Sequence, residues 1–287
     1  MISEQSLKDK LQTISKEQGV PFNACWKELL LERFLSRLAS SNHANKFIFK
    51  GGFLLSYLIE IGRETMDLDF LLTRLTVEEE TLRILFNEIT SSPSFDNFIF
   101  SLHSISLLTQ PHMQYPGYRV TFNAIFGKMK DKIQVDIGIG DTVAPLTYEL
   151  PLTKYRGKPF FETSISLLIY PPESIFAEKF ETILSKGTSN SRMKDYHDLV
   201  LLIRNQSLLH PEKLQITLSQ TFSHRGTELG LIKFDETGIG TLQRLWAAHL
   251  NGLGDYAELL QLPAKISDVI ESINYYVTSL LEAPAQK

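Results

Sequence analysis

Apolar residues in "FNACWKELLLERFLSRLASS" recur at steps of three and four, with Trp26, Leu29, Leu30, Phe34 and Leu38 forming one stripe. That period predicts an amphipathic helix packed on the domain that follows. Strand and helix patterns then alternate. "KFIFK" (Lys46–Lys50) reads as a strand, "FLLSYLIEI" after two glycines as a helix, "DLDFLL" as a strand and "VEEETLRILFNEITSS" as a helix with a charged outer face. From Asn97 to Gly140 a strand pattern takes over in "FIFSLHSISLL", "GYRVTFNAIF" and "KIQVDIGIGD", and "GKMKDK" between the last two suits a hairpin turn. Beyond "YPPESIF" the strands stop. Pro171 and Pro172 open a helix through "SIFAEKFETILSK" that Gly187 can end, and the Ser and Asn residues of "TSNSRMKDYHDLVLLIRN" offer caps for a second. "TLQRLWAAHL" and "KISDVIESINYYVTSLLEA" continue mostly helical. The predicted class is α/β (α+β), a mixed sheet flanked by helices over residues 1–168 and a helical domain over 169–287, with a soft boundary near Leu168 to Pro172.

Composition narrows the class of partner. A chain of 287 residues can bury a sizeable core, and 43% hydrophobic and 22% charged residues with a net charge of -4 exclude a disordered chain and a dedicated nucleic-acid coat. A local basic patch built from Arg63, Arg192, Lys194 and Arg225 stays open. The single Cys25 excludes an internal disulfide framework and a four-cysteine zinc site, and fits a reducing compartment. "MISEQSLKDK" lacks the apolar core of a secretory signal, and no apolar run approaches the ~18 residues that span a bilayer. The expectation is a cytoplasmic protein with no membrane partner.

The chemistry concentrates in "FKGGFLLSYLIEIGRETMDLDFLL". Asp67 and Asp69 are two apart in a predicted strand, so both carboxylates emerge on one face, where they can hold Mg²⁺ through oxygen ligands. Asp136 in "KIQVDIGIGD" offers a third acid, with Ile133, Val135 and Ile137 on the opposite, core-facing side. If the two strands are neighbours, that carboxylate lies about 4.8 Å across the ladder. Three acids can hold two metals for in-line displacement at phosphorus. Gly51 and Gly52, between a strand and a helix, leave bare N–H groups on which a triphosphate can sit, with Lys50 and Arg63 as cationic help. Each element also has a plainer reading: an Asp-x-Asp pair at a strand end, a Gly-Gly turn, an edge residue facing water at Asp136.

"FKGGFLLSYL" followed by "GRETMDLDF" resembles the signature of the AbiEii/AbiGii-type toxins, nucleotidyltransferase-like proteins of abortive-infection and type IV toxin-antitoxin systems. "IQVDIGIGD", "AEKFETIL", "SRMKDYHDL" and "LSQTFSHRGTEL" resemble further blocks of that family in order, so the likeness runs from about Phe22 to Leu281. It implies a DNA polymerase β-like nucleotidyltransferase core with a helical C-terminal domain, using Mg²⁺ (or Mn²⁺) and a nucleoside triphosphate. By the same likeness Asp67 and Asp69 match the metal-binding pair, Asp136 the third acid, Lys179 a nucleotide-contacting lysine, and Asp195 and Asp198 the acids of a "KDxxD" helix. Two features depart from the wider superfamily: Gly51-Gly52 stands for its Gly-Ser, and fourteen residues, 53 to 66, separate the pair from Asp67.

The residues around the second motif agree in part. Asp195 and Asp198 are three apart on a helix with Arg192 nearby, and Lys194 and Asp198 are four apart, a face that could close over a nucleotide or simply be solvated by i,i+4 pairs. Lys179 lies one position off the stripe of Phe176, Phe180 and Ile183. The seven histidines show no HExxH, no GxSxG elbow is present, and "GIGDTVAP" lacks the Lys-Ser/Thr of a P-loop. His197 reads as a surface or packing histidine.

Taken together these features predict a Mg²⁺-dependent nucleotidyltransferase that moves an NMP from an NTP to an acceptor, RNA such as tRNA or protein, as the toxin partner of a cognate antitoxin. Asp67 and Asp69 would hold the metals, and Asp136 would help ligate them and accept the attacking proton. Lys50, Gly51, Gly52, Arg63, Lys179, Arg192 and Lys194 would bind the nucleotide, with Asp195 or Asp198 orienting the acceptor or a lysine. The alternatives are a non-catalytic nucleotide- or partner-binding module and an enzyme that modifies a small molecule such as an antibiotic.

Overall fold

In a computed structural model of the chain, which describes residues 2–73, 78–92, 94–108, 117–140 and 143–282, the chain divides into two units. The first comprises Met1–Tyr57 with Glu64–Tyr170, the second Leu58–Arg63 with Pro171–Lys287. Val77 and Ala283, at the ends of two predicted helices, and Asp141 and Thr142 of the "GIGDTVAP" stretch lie outside the described residues. Among those described, no helix is long and apolar enough to cross a membrane.

The first unit begins with helix α1 (Glu4–Gln18), which the sequence pattern did not reveal because its buried stripe is only Leu7, Leu11 and Ile14 in a polar segment. Its caps were legible: the Ser3 hydroxyl accepts from the Ser6 N–H, and Gly19 closes the helix in the left-handed region. Helix α2 (Phe22–Ser40) follows, then β1 (Phe47–Lys50), α3 (Gly51–Leu58), β2 (Asp67–Leu72), α4 (Glu79–Ser91), β3 (Ile99–Leu108), β4 (Gly117–Phe126), β5 (Met129–Ile139), β6 (Leu146–Pro151), the small ribbon β7 (Lys154–Tyr155) and β8 (Lys158–Pro159), and β9 (Ser164–Ile169). Helix α3 is shorter than the nine-residue run "FLLSYLIEI" suggests. It starts on the glycines and stops at Leu58, where the chain passes into the second unit; Ile59 and Ile61 are buried without being helical.

Seven strands form one mixed sheet in the order β3-β4-β5-β2-β1-β9-β6. The β1–β2, β3–β4, β4–β5 and β6–β9 pairs are antiparallel, whereas β2–β5 and β1–β9 are parallel. Period-two alternation sends Leu68 and Phe70 of β2 and Ile133, Val135 and Ile137 of β5 into the core, all at most 1% exposed. Helix α2 lies against β5 and β9, and α4 against β3. Phenylalanines fill the space between: Phe34 of α2 meets Phe122 of β4 at 4.9 Å between ring centroids, Phe86 of α4 meets the same ring at 5.3 Å, and Phe47 meets Phe70 at 5.5 Å.

The second unit is helical: α5 (Pro172–Lys186), α6 (Met193–Arg204), α7 (Pro211–Arg225), α8 (Glu236–Leu253), the short α9 (Tyr256–Leu259) and α10 (Ile266–Glu282). Helix α5 packs on α6 and α7, and α10 on α6, α7 and α8. Phe176, Phe180, Tyr196, Leu218, Trp246, Ile273 and Val277 form its core. The block "TFSHRGTEL" has a structural role. Glu181 of α5 is 4% exposed and is matched by Arg225 at 2.9 Å and by the Thr227 hydroxyl at 2.6 Å, which ties the end of α7 to α5 across the Gly226 cap.

A buried carboxylate that loses a donor pays its desolvation cost, so Thr227→Val should lower stability by about 2 kcal/mol. The expected result is a lower urea midpoint with an unchanged m-value; a midpoint equal to wild type would contradict the role given to this bond.

Candidate active site

β1 delivers Lys50 to the sheet end and hands over directly to Gly51 at φ +80°, a conformation that favours glycine. A second reason for the glycine is spatial: a Cβ at Gly51 would lie 1.9 Å from Asp69 Oδ2. The Asp69 carboxylate therefore occupies the space that the missing side chain leaves beside the start of α3. Gly52 is the second residue of that helix.

Across the sheet the register lines up a row of charges. Lys50 pairs with Asp69, Asp69 with Asp136, and Asp136 with Arg119. Residues opposite one another in a ladder share a face, and Asp67, two before Asp69, joins them. All lie on the side away from Leu68, Phe70, Val135 and Ile137. The plainer reading of Asp136 as an edge residue fails, because β5 is an interior strand between β4 and β2. Both of its oxygens are engaged by Arg119, with Nε 2.8 Å from Oδ1 and Nη2 2.7 Å from Oδ2. The hydrogen bond to Asp136 leads in holding the guanidinium above its usual pKa, against its own desolvation, and the charges of Asp136, Asp67 and Asp69 add to it. Lys50 Nζ sits 4.5 Å from the centroid of the Tyr170 ring.

The sequence reading did not single out Arg119, yet a signal existed. The turn at Gly127–Lys128 pairs Phe126 with Met129, and counting seven residues outward on each strand sets Arg119 opposite Asp136.

The oxygen donors of Asp67, Asp69 and Asp136 suit a hard divalent cation such as Mg²⁺. Among the described residues no group of three or more His, Cys, Asp or Glu side chains is gathered for a metal ion. The reason at Asp136 is visible: its two oxygens face a guanidinium. The oxygen donors are of the kind the ion prefers, and at Asp136 both of them are taken by the guanidinium of Arg119.

The second unit holds the other motif residues. Lys179 of α5 lies 3.0 Å from Asp195 Oδ1 and 2.8 Å from Asp198 Oδ2. Arg63, from the 58–63 segment, binds both oxygens of Asp198, with Nη2 at 2.8 Å and 3.1 Å. Arg192 Nε donates to Asp195 Oδ2 at 2.9 Å. The solvated-face alternative for α6 is overturned, since both acids are 0% exposed. Burial alone would raise the Asp198 pKa, but Lys179 and Arg63 override it and hold the carboxyl at about 2. The two acids in turn override the burial of Lys179 and keep its ammonium charged. Lys194 is exposed and Arg225 is committed to Glu178 and Glu181, so the basic patch proposed from sequence is not one surface.

A family model for AbiEii, the nucleotidyl transferase AbiEii toxin of type IV toxin-antitoxin systems, matches residues 33–271. The chain belongs to the AbiEii family. Its enzyme class is therefore that of the nucleotidyltransferases. No curated protein matches the chain. Among solved structures it is similar to JHP933 from Helicobacter pylori (14% identity, 90% of this chain and 91% of that one, TM-score 0.44). A candidate nucleotidyltransferase from H. pylori (15%, 91% and 96%, TM-score 0.43) is also similar. So is an antigenic nucleotidyltransferase-like protein from Paracoccidioides brasiliensis (18%, 69% and 89%, TM-score 0.35).

His197, between the two α6 acids and their neighbours, is 0% exposed; its Nδ1 lies 2.9 Å from His249 Nε2, while its Nε2 has no partner among the described residues. Burial pushes its pKa down to about 4, the Asp198 charge only partly opposing that. The folded state thus keeps His197 neutral at a pH where the unfolded chain, titrating near 6.5, takes up a proton. Stability should fall as pH drops from about 6.5 toward 4, by on the order of 3 kcal/mol. Denaturant titrations across that range should show the slope in wild type and its flattening in His197→Gln.

Proposed function

We propose that this AbiEii-family chain transfers an NMP from a nucleoside triphosphate to RNA, with tRNA the leading candidate over protein, and that a cognate antitoxin counters it. The observation that carries the reading is the register that sets Asp69 opposite Asp136, with Asp67 on the same face and Gly51 cut back to make room beside them. An acidic row next to the start of a helix is a suitable place for a polyphosphate and its divalent cation, because the acids draw the cation and the helix N–H groups draw phosphate oxygens. A divalent cation bound there supplies charge neutralisation of the triphosphate and activation of the attacking oxygen.

The residues divide the work. Asp67 and Asp69 hold the cation, and Asp136 completes the oxygen set. Gly51 makes room for the Asp69 carboxylate, and Gly52 adds no Cβ where a phosphate would approach the helix start. Lys50, at the end of the row, limits the repulsion among the acids. The acceptor hydroxyl attacks the α-phosphorus, its proton passes to a carboxylate and pyrophosphate leaves, so atoms and charge balance. In the second unit Lys179 provides a positive charge for phosphate, fixed by Asp195 and Asp198, while Arg63 orients Asp198 and Arg192 orients Asp195. Lys194, exposed on the same helix, is left for contacts with a nucleic-acid backbone.

Catalysis by positioning and charge predicts that Asp69→Asn lowers label transfer from NTP to cellular RNA by about two orders of magnitude or more. The thermal midpoint should hold, since the changed side chain is outside the core. Full transfer by the variant would defeat the assignment; absence of transfer by the wild type with any of the four NTPs would favour a binding module instead. Lys179→Met should also abolish transfer, but at a cost of about 3 kcal/mol in stability, because it leaves each of two buried carboxylates with one cation fewer. Chemical denaturation beside the transfer assay separates the two effects.

A further inference from the structure

We propose that Arg119 is a built-in competitor for the divalent cation: it occupies Asp136 in the nucleotide-free protein and gives it up when a polyphosphate arrives, so that cation binding is coupled to nucleotide binding. The inference rests on the reading of Asp67, Asp69 and Asp136 as the metal-binding set.

Three observations support it. The contact is two-pronged, 2.8 Å and 2.7 Å, and uses both Asp136 oxygens. A metal at a usual carboxylate distance of roughly 2.0 to 2.1 Å would then face the guanidinium across one oxygen, like charge against like charge. Second, the side chain is 39% exposed and Asp136 18%, so the guanidinium can leave without disturbing the core behind the sheet. Third, the register sets Arg119 beside Asp136 and Asp136 beside Asp69, with Asp67 on the same face, the three acids a cation would use. The arginine fork that fits a carboxylate fits a phosphate equally well. An incoming triphosphate therefore offers the guanidinium a new anion while its cation takes the vacated oxygens.

A purely structural role is the competing account. Cross-strand ion pairs with this much exposure contribute little to a sheet, and here the pair joins two strands already tied along the whole Gly127–Lys128 hairpin. The two accounts differ in what the nucleotide-free protein does with metal alone.

The test is Mn²⁺ titration of the full chain, followed by electron paramagnetic resonance, for wild type, Arg119→Ala, Arg119→Gln, Arg119→Lys and Asp136→Asn. Without nucleotide, Arg119→Ala and Arg119→Gln should bind Mn²⁺ about tenfold more tightly than wild type, a coupling of ordinary size. Arg119→Lys, which keeps the charge, should stay near wild type, and Asp136→Asn should bind more weakly. Adding α,β-methylene analogues of the four NTPs should strengthen Mn²⁺ binding in wild type and much less in Arg119→Ala. Unchanged or weaker Mn²⁺ affinity in both neutral variants overturns the proposal while leaving the metal site standing. Failure of every protein to take up Mn²⁺, with or without the analogues, removes the metal-site reading and this inference with it. If Arg119→Ala does not fold, Arg119→Gln, which keeps the polar stem without the charge, carries the measurement.

Discussion

Two aspartates facing each other across a ladder whose strands run about 4.8 Å apart put like charges on neighbouring strands, and a cation stands at either end of the row. Asp69 and Asp136 are flanked by Lys50 on β1 and Arg119 on β4, giving a cation-acid-acid-cation sequence over four neighbouring strands. The acids cannot relax by sliding. Leu68 and Phe70 on β2, and Val135 and Ile137 on β5, are sealed in the core on the other face, and a one-residue slip would exchange the two faces. The hydrophobic layer under α2 and α4 thus holds the acids together against their own charge.

The same constraint explains the glycine. With the Asp69 backbone fixed by register, its carboxylate leans toward the start of α3, and Gly51 is the residue that leaves room. The positive φ there and the missing Cβ serve one arrangement, in which a strand ends, a helix begins and an acid lies beside the join.

Much of this was legible in the chain because it follows from period two. Asp67, Asp69 and Asp136 alternate with core residues in short strands, and the placement of Asp136 beside Asp69 needed only that the two strands be neighbours. Arg119 was within reach through the hairpin count but carries no signal of its own in "GYRVTFNAIF". Helix α1 escaped notice because three apolar residues in fifteen make a faint stripe, although Ser3 and Gly19 marked its ends. The α6 cluster was readable only through family likeness. An i,i+3 pair of aspartates looks the same whether it faces water or three cations, and the partner that distinguishes the cases, Arg63, is 135 residues from Asp198.

That cluster raises the question of why a helical unit should bury two carboxylates. Desolvation makes such groups poor stabilisers, and well-packed apolar side chains of similar volume would hold α5 to α6 at least as well. Stability alone therefore does not account for Lys179, Asp195, Asp198, Arg63 and Arg192 together. The arrangement makes better sense as a device for fixing a lysine: the acids sit at 0–1% side-chain exposure, while Lys179 at 12% and Arg192 at 44% reach outward, and three cations outnumber two acids. A lysine alone on a helix surface would sample many rotamers and lose entropy on meeting a phosphate. Held by two buried acids it is already ordered, so the cost of positioning the charge is met in folding rather than in binding. On the proposed reading, a phosphate meeting the second unit would find a cation that was ordered before it arrived.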